Sequence, residues 1–342
     1  MEKPSVLIVG AGALGIVTGY HLHLAGAEIA FLVRPNRTEA LSEPQRLYCY
    51  DDHELKTFGA YKVFTSVTDA MAREHDFVIV TMDGATCRGA EATALLREIG
   101  QAMQGRRSVA VISGMGVRDY CRDVMQLPEA RIVTGTMGLL SYQTDRVTLP
   151  PNPPTDQAKL ASASIAYNHM GKNPGFLIVA KPAAAAKAFA ALYDRSGVSR
   201  CAVIGPRLFD MFSASAFVTM AIFDLAGWPD AGELARNTAL MDLASRATKE
   251  IMRLPEHGVP GKIAGLLVSP RQLAKTNRKM ERDCLPVDYS AFNRFHHGGK
   301  VRDQDIGVLR SCLQAGRAHG RSMPALTELV ERYERHIAEA AG

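Results

Sequence analysis

Apolar runs and polar breaks divide the chain into two textures. Residues 5–9, Ser-Val-Leu-Ile-Val, are a continuous β-branched-rich run, the pattern of a strand buried on both faces of a parallel sheet. Ile16, Tyr20 and Leu24 then recur at helical spacing up to Gly26, and 28–33 reads as a second strand. Further strand runs lie at 76–81, 108–112 and 131–136, and Ala92, Leu95, Leu96 and Ile99 mark a helix over 85–102. The pieces 47–50, 55–60 and 61–67 have β character broken by Asp51-Asp52 and read as an excursion at the sheet edge. Four prolines from Pro150 to Pro154 mark a loop, followed by a strand at 176–179, an alanine-rich helix at 183–193 and a short strand at 202–204. From Gly205 no convincing strand remains, and helices are expected over 208–227, 232–252, 258–267, 289–297, 303–319 and 324–341. Pro324 reads as a first-turn proline with Ser322 as its cap. The pattern predicts an α/β chain: a Rossmann-type doubly wound sheet over 1–204, then an all-helical domain over 205–342, with a cleft between them as the natural ligand site.

The first strand is followed by Gly10-Ala11-Gly12-Ala13-Leu14-Gly15, a G-x-G-x-x-G pattern in strand, loop and helix order. Glycine is needed for a tight turn at Gly10, for backbone approach to a pyrophosphate at Gly12 and for close helix packing at Gly15. The helix N-terminus offers its free N–H groups to the phosphates. Just beyond the second strand stands Arg34, where an acidic residue would hold the ribose of NAD and an arginine attracts the 2′-phosphate of NADP. Arg37 is a second contact candidate. The expected cofactor is NADP. The competing reading is an ordinary strand-to-helix turn beside a solvated arginine.

Composition narrows the partners. The 342 residues are 47% hydrophobic and 22% charged, ordinary for a soluble globular chain. Apolar stretches fall short of a membrane span, and residues 1–4 lead straight into the first strand, so no transmembrane helix, no signal peptide and a cytoplasmic location are expected. Six cysteines lie far apart without a C-x-x-C pair, which disfavours a metal site or a disulfide framework. The net charge is +5, but between Lys262 and Arg302 nine basic residues face three acidic ones. No nucleic-acid motif accompanies them; an anionic substrate and a phosphorylated cofactor would exploit the same field, as would solvated helix faces.

The glycine loop, the Ser113-Gly114-Met115-Gly116 corner, and the closing run Ser290, Gly298-Gly299-Lys300, Gly316-Arg317-Ala318-His319-Gly320 and Pro324 resemble the ketopantoate reductase (2-dehydropantoate 2-reductase) family. The resemblance implies a helical, 6-phosphogluconate dehydrogenase-like C-terminal domain. It also implies cofactor contacts from Ser113 and Gly114 and hydride transfer from NADPH to the ketone of a 2-oxo acid. The family protonates the alkoxide with a lysine at the start of the second domain's first helix and holds substrate with asparagines one and two turns on. Here Phe209 or Asp210 stands at the lysine position, and Ser213 and Phe217 at the asparagine positions. The chain is therefore a divergent member, expected to act on an oxo substrate other than ketopantoate.

Replacement chemistry is expected from two groups. Arg207 and Asp210 lie one turn apart, with Ser213 continuing their face; they read as a carboxylate clamp and part of an acid relay, or as a surface ion pair. His296-His297 beside Gly298-Gly299 and Lys300 offers a proton donor near neutrality, or cations answering a helix dipole; at most one of the two histidines faces the site. The family's substrate-binding glutamate falls near Asp303, Gln304 or Asp305, of which Asp303 is taken as the candidate, and Ser290 is a substrate hydroxyl contact by resemblance. The expected ligand is a small anionic substrate, without nucleic acid or membrane partners; a homodimer is compatible with the resemblance. Two other functions fit the same residues: an NADP(H)-binding sensor or interaction protein without turnover, and a 2-hydroxy acid dehydrogenase on the same scaffold.

Overall fold

The computed structural model describes residues 3–341, which fall into two compact units, one up to Gly205 and one from Pro206. The division comes one residue after the expected 204/205 boundary.

The first unit contains β1 (Ser5–Val9), α1 (Ala13–Leu24), β2 (Glu28–Leu32), β3 (Gln45–Cys49), β4 (Glu54–Phe58), β5 (Tyr61–Phe64), α2 (Val67–Ala70), β6 (Phe77–Val80), α3 (Gly84–Arg88), α4 (Ala90–Ala102), β7 (Val109–Ile112), α5 (Arg118–Met125), β8 (Ile132–Met137), β9 (Leu139–Gln143), α6 (Gln157–Ala161), β10 (Ile165–His169), β11 (Phe176–Val179), α7 (Ala183–Asp194) and β12 (Cys201–Ile204). An eight-stranded sheet runs β12-β11-β8-β7-β6-β1-β2-β5. Its strands pair in parallel except β11, which is antiparallel to β8. The apolar run at β1 is explained by two cores: Val6 and Ile8 enter one, Leu7 and Val9 the other, and all four are buried. Strand order reverses between β1 and β6, and the carboxyl ends of strands at such a reversal are where open α/β sheets take ligands.

The expected edge excursion is two different things. β5 pairs with β2 and completes the main sheet, whereas β3 and β4 join a second sheet of order β4-β3-β10-β9. β9 and β10 were not expected: they carry Ser141, Gln143, Asn168 and His169 among their apolar positions, and their stability comes from non-local pairing, β10 lying parallel to β3. A polar chain ties this sheet to the helices. His21 Nδ1 lies 2.7 Å from the Tyr193 hydroxyl, which donates to Ser199 Oγ at 3.4 Å; Ser199 lies 2.8 Å from His169 Nε2, and His169 Nδ1 lies 2.7 Å from Asp51. The buried Nε2 of His21 has no partner. Because an orphaned donor is rarer than an under-satisfied acceptor, the His21 proton is assigned to Nδ1, and every donor in the chain then points one way, from His21 to Asp51.

The second unit contains α8 (Pro206–Leu225), α9 (Ala231–Leu234), α10 (Thr238–Met252), α11 (Gly258–Leu267), α12 (Pro270–Cys284), α13 (Tyr289–Phe295), α14 (Arg302–Ala318) and α15 (Pro324–Ala341). By length and composition alone α8 could cross a membrane, but 61% of its most apolar window is buried inside the fold. It is the core helix here, contacted by α10, α14 and α15. α12 escaped the periodicity reading because it has no apolar stripe; only Asn277 and Cys284 are buried along it. Its start is nonetheless marked by Pro270 in the first turn and by Ser269, whose hydroxyl accepts the Gln272 N–H at 3.1 Å. Pro324 does open α15, but Glu250 of α10, rather than Ser322, accepts the N–H groups of Ala325 and Leu326 at 3.1 and 2.8 Å. A carboxylate from a packed neighbour answers the helix N-terminus better than a short hydroxyl, since it takes two donors at once.

Candidate functional site

In the first unit the candidate residues gather at the carboxyl ends of the parallel strands. Gly10 leaves β1 with φ +102°, a conformation that favours glycine. The Thr81 hydroxyl, following β6, donates to the carbonyls of Val9 and Gly10 at 2.9 and 3.2 Å. This residue was missed in the sequence; it holds the loop from the neighbouring strand. A Cβ on Gly15 would lie 2.4 Å from the Gly10 carbonyl oxygen, whereas a Cβ on Gly12 would meet nothing within 4 Å. Gly15 is thus glycine for packing, and Gly12 borders open space. Gly12 caps α1 with no side-chain hydrogen bond, leaving first-turn N–H groups of Ala13, Leu14 and Gly15 for an anion.

Ser113 follows β7, its N–H bonded to Val80 at 2.9 Å; its hydroxyl is buried and unpartnered. At Gly114 a Cβ would approach Val117 at 2.7 Å and the Met82 carbonyl at 3.0 Å, so this corner packs on the turn after β6. In that turn Asp83 caps α3, accepting the N–H and hydroxyl of Thr86 at 2.8 and 2.7 Å. The aspartate is committed to the helix start. Arg34 follows β2, is exposed, and makes no ion pair among the described residues; Arg37 stands in the same short turn. Open space at Gly12, uncapped N–H donors, an orphaned buried hydroxyl and an unpaired guanidinium suit a dinucleotide phosphate chain.

In the second unit, α13 gives way to a π-turn over His296–Lys300, a local widening frequent at functional sites. Gly298 permits it: a Cβ there would lie 2.8 Å from the Trp228 indole nitrogen. The far side is fixed by Asp224, which is buried and accepts from Trp228 Nε1 at 2.9 Å and Tyr333 at 3.1 Å, with Arg302 3.1 Å away. Between these anchors His297 Nδ1 meets Asp305 Oδ2 at 2.6 Å. The Asp305 side chain is 1% exposed, that of His297 22%. Burial raises the Asp305 carboxyl above its usual range, while the hydrogen bond from His297 pulls the other way. The imidazole of His296, stacked on Phe292, is pushed well below its ordinary value by burial, with His297 and Lys300 adding to the shift. Of the two histidines, His297 is the one with an oriented tautomer: Nδ1–H to Asp305 leaves Nε2 to work.

Other expected residues are placed differently. Asp303 is exposed in the first turn of α14, where it answers the helix dipole; the carboxylate that reaches His297 is Asp305, two positions and about 200° round the helix. Arg207 and Asp210 are both exposed on α8. Asp210 bears on buried His257, whose imidazole is lowered by desolvation while Glu256 and Asp210 oppose the shift. Ser213 donates to the Phe209 carbonyl at 2.7 Å, and Ser290 to that of Pro229 at 2.8 Å; each hydroxyl proton is spent on backbone. Phe217 turns an edge to His297, with ring centres 6.3 Å apart. Lys300 is exposed at the end of the π-turn. No group of three or more metal-binding side chains occurs among the described residues.

Comparison with known proteins places this architecture. Solved structures with the same fold include 2-dehydropantoate 2-reductase from Methylococcus capsulatus, 15% identical with a TM-score of 0.71 over 99% of this chain and 98% of that one. Another is 2-dehydropantoate 2-reductase from Geobacter metallireducens GS-15, 16% identical, TM-score 0.63, covering 97% and 99%. The ternary structure of D-mandelate dehydrogenase with NADH and anilino(oxo)acetate is 12% identical, TM-score 0.63, covering 97% of each chain. Among curated protein sequences none matches. The model of the family "Ketopantoate reductase PanE/ApbA" matches residues 6–147. Over that stretch the chain is similar to the ketopantoate reductase family, and the solved structures above share its fold.

Proposed function

We propose that this chain is an NADP-dependent oxidoreductase that transfers a hydride between NADPH and a small 2-oxo acid-like substrate other than ketopantoate. The observation that carries the proposal is the His297–Asp305 pair, 2.6 Å apart with its carboxylate buried. Reduction of a ketone needs a proton for the developing alkoxide, and the family lysine that supplies it has no counterpart on α8. His297, with Nδ1–H held by Asp305, can present a protonated Nε2 to that oxygen and be restored by solvent. The bound dinucleotide supplies the hydride; the chain's residues bind, orient and deliver the proton.

Arg34, exposed and unpaired after β2, supports NADP over NAD. The loss of the asparagines, with Ser213 spent on its own helix and Phe217 apolar, argues against the polar grip that ketopantoate receives. The fold accepts NADH and an oxo acid in D-mandelate dehydrogenase, which supports the substrate class. The test is NADPH and NADH oxidation across a panel of 2-oxo acids including ketopantoate. Turnover with NADPH preferred and another oxo acid favoured is expected. Ketopantoate as best substrate would overturn the substrate reading, and thermal protection by NADPH without any oxidation would make the protein a sensor instead.

A further inference from the structure

α11 is inside out. An ordinary surface helix buries its large apolar side chains and shows its small or polar ones. Here the buried positions are Gly261 and Gly265, and the exposed ones are Val259 (65%), Ile263 (56%), Leu266 (73%) and Leu267 (72%). Gly261 is forced: a Cβ there would lie 2.2 Å from the Met252 carbonyl oxygen and 2.5 Å from His257 Cβ. The helix is therefore seated on its backbone face, and its apolar stripe at i, i+4, i+7 and i+8 stands outward. The leucines at its end are nearly three-quarters exposed, so they project rather than line a groove.

α12, which follows at once, carries the complementary feature. Arg271, Lys275, Arg278 and Arg282 recur at i, i+4, i+7 and i+11, one face of the helix, and all four are exposed. Arg271, Lys275 and Arg278 make no ion pair among the described residues, and Arg282 only a 3.8 Å approach to Asp283. Lys279, off this stripe, is the one paired closely with Asp283. Most of the basic excess between Lys262 and Arg302 is thus a cationic ridge about 16 Å long, beginning where the projecting leucines end.

We propose that α11 and α12 form a docking surface for an anionic lipid bilayer. Projecting aliphatic side chains beside an unpaired cationic stripe match the acyl and headgroup layers of an interface, which asks for no shape complementarity. A second copy of this chain would bring two cationic ridges together; an acidic nucleic-acid backbone would leave the leucines in water. The surface is remote in sequence from the glycine loop and uses none of the residues assigned to the reaction.

The experiment is co-sedimentation of the purified full chain with phosphatidylcholine vesicles, with and without phosphatidylglycerol, at low and high salt. Binding is expected only to the anionic vesicles and is lost in high salt. Arg271→Glu/Lys275→Glu/Arg278→Glu should weaken binding by about a hundredfold or more, and Leu266→Ser/Leu267→Ser should weaken it by about tenfold or more. NADPH affinity and thermal unfolding should be unchanged in both variants. No sedimentation with anionic vesicles, or equal binding by both variants, overturns the proposal. So does a wild-type dimer that the leucine variant converts to monomer without any vesicle binding, since the face would then belong to a second copy.

Discussion

At the end of β1 the candidate groups are main-chain N–H donors; at the turn before α14 they are two side chains. The first site is made by what is missing, Cβ atoms at Gly12 and Gly15. The second is made by what is present, an imidazole held 2.6 Å from a buried carboxylate. A backbone site depends on the close packing of strand and helix, so damage to it reaches the fold. A side-chain site standing on a fixed frame can be emptied while the frame remains. On the proposed reading, such a frame can take exchanged catalytic side chains, whereas the glycine loop, by its close packing, tolerates little exchange.

The largest effect is expected from Gly15→Ala. Its Cβ would sit 2.4 Å from the Gly10 carbonyl oxygen, a backbone atom, so α1 must lift from β1. Stability should fall by about 3 kcal/mol and NADPH binding should disappear, as read by denaturant unfolding and calorimetric titration. A variant that unfolds and binds like the wild type would show that the helix is not seated on the loop. His297→Ala is the matching break in the second unit. Turnover should drop by about 10² to 10⁴ while NADPH affinity stays put and stability falls by about 1–3 kcal/mol as buried Asp305 loses its partner, and Asp305→Asn should change the pH profile of turnover more than substrate affinity. Unaltered kinetics in His297→Ala would remove the imidazole from the reaction.

Gly12→Ala sharpens the first site by dissociating ligand from fold. Gly12 has φ −78° and ψ −177°, open to any residue, and its Cβ would touch nothing within 4 Å. Stability should hold or rise by about 0.5 kcal/mol, while NADPH affinity falls by roughly tenfold through loss of backbone approach to the pyrophosphate. Equal affinity would mean that no phosphate comes near this position. Smaller still is a change of preference: Arg34→Glu should weaken NADPH by about tenfold more than NADH, the worth of one charge-assisted contact. Equal losses would show that Arg34 does not discriminate.

The two sites also differ in how far they could be read in advance. Gly10, Gly12, Gly15 and Arg34 stand within one strand-loop-helix-strand unit, where local order and chain geometry fix their neighbours, so the form of that unit was legible from residues alone. Thr81 was not, because it reaches the loop from a strand seventy-odd positions away through a sheet register. The His297–Asp305 pair hides for another reason. Eight residues apart would place two groups on one face of a regular helix only approximately, and the widened turn at His296–Lys300 resets that phase; Asp303 follows from the register of a resemblance, which does not see this pairing. β9 and β10 were unread because polar residues interrupt their apolar alternation, His169 among them bonding Ser199 and Asp51, and α12 because its single marked face is cationic rather than apolar.

The far half of α1 offers the finest separation between loop and frame. Burial lowers the His21 imidazole to about 3, His169 adding to the shift and Asp51 opposing it. In the unfolded chain the same group protonates near 6.5. Above that pH both states are neutral and the contribution to stability is complete; as pH falls from 6.5 toward 3 only the unfolded state gains a proton, and stability declines by about 1.4 kcal/mol per pH unit. At pH 5 the loss from this one group is about 2 kcal/mol. Denaturant unfolding at pH 7 and pH 5 should show a steeper fall in the wild type than in His21→Phe, all other titrating groups being shared. The variant forfeits the bond to Tyr193 and starts from lower stability, so the slope is the readout. Its NADPH affinity at pH 7 should match the wild type, because the N–H groups proposed to meet the phosphates lie about two turns away at Ala13–Gly15, beside a loop held by Thr81. Parallel slopes would show that His21 charges in the folded state, and an affinity loss in the variant would show that the loop depends on the whole helix rather than on its first turn.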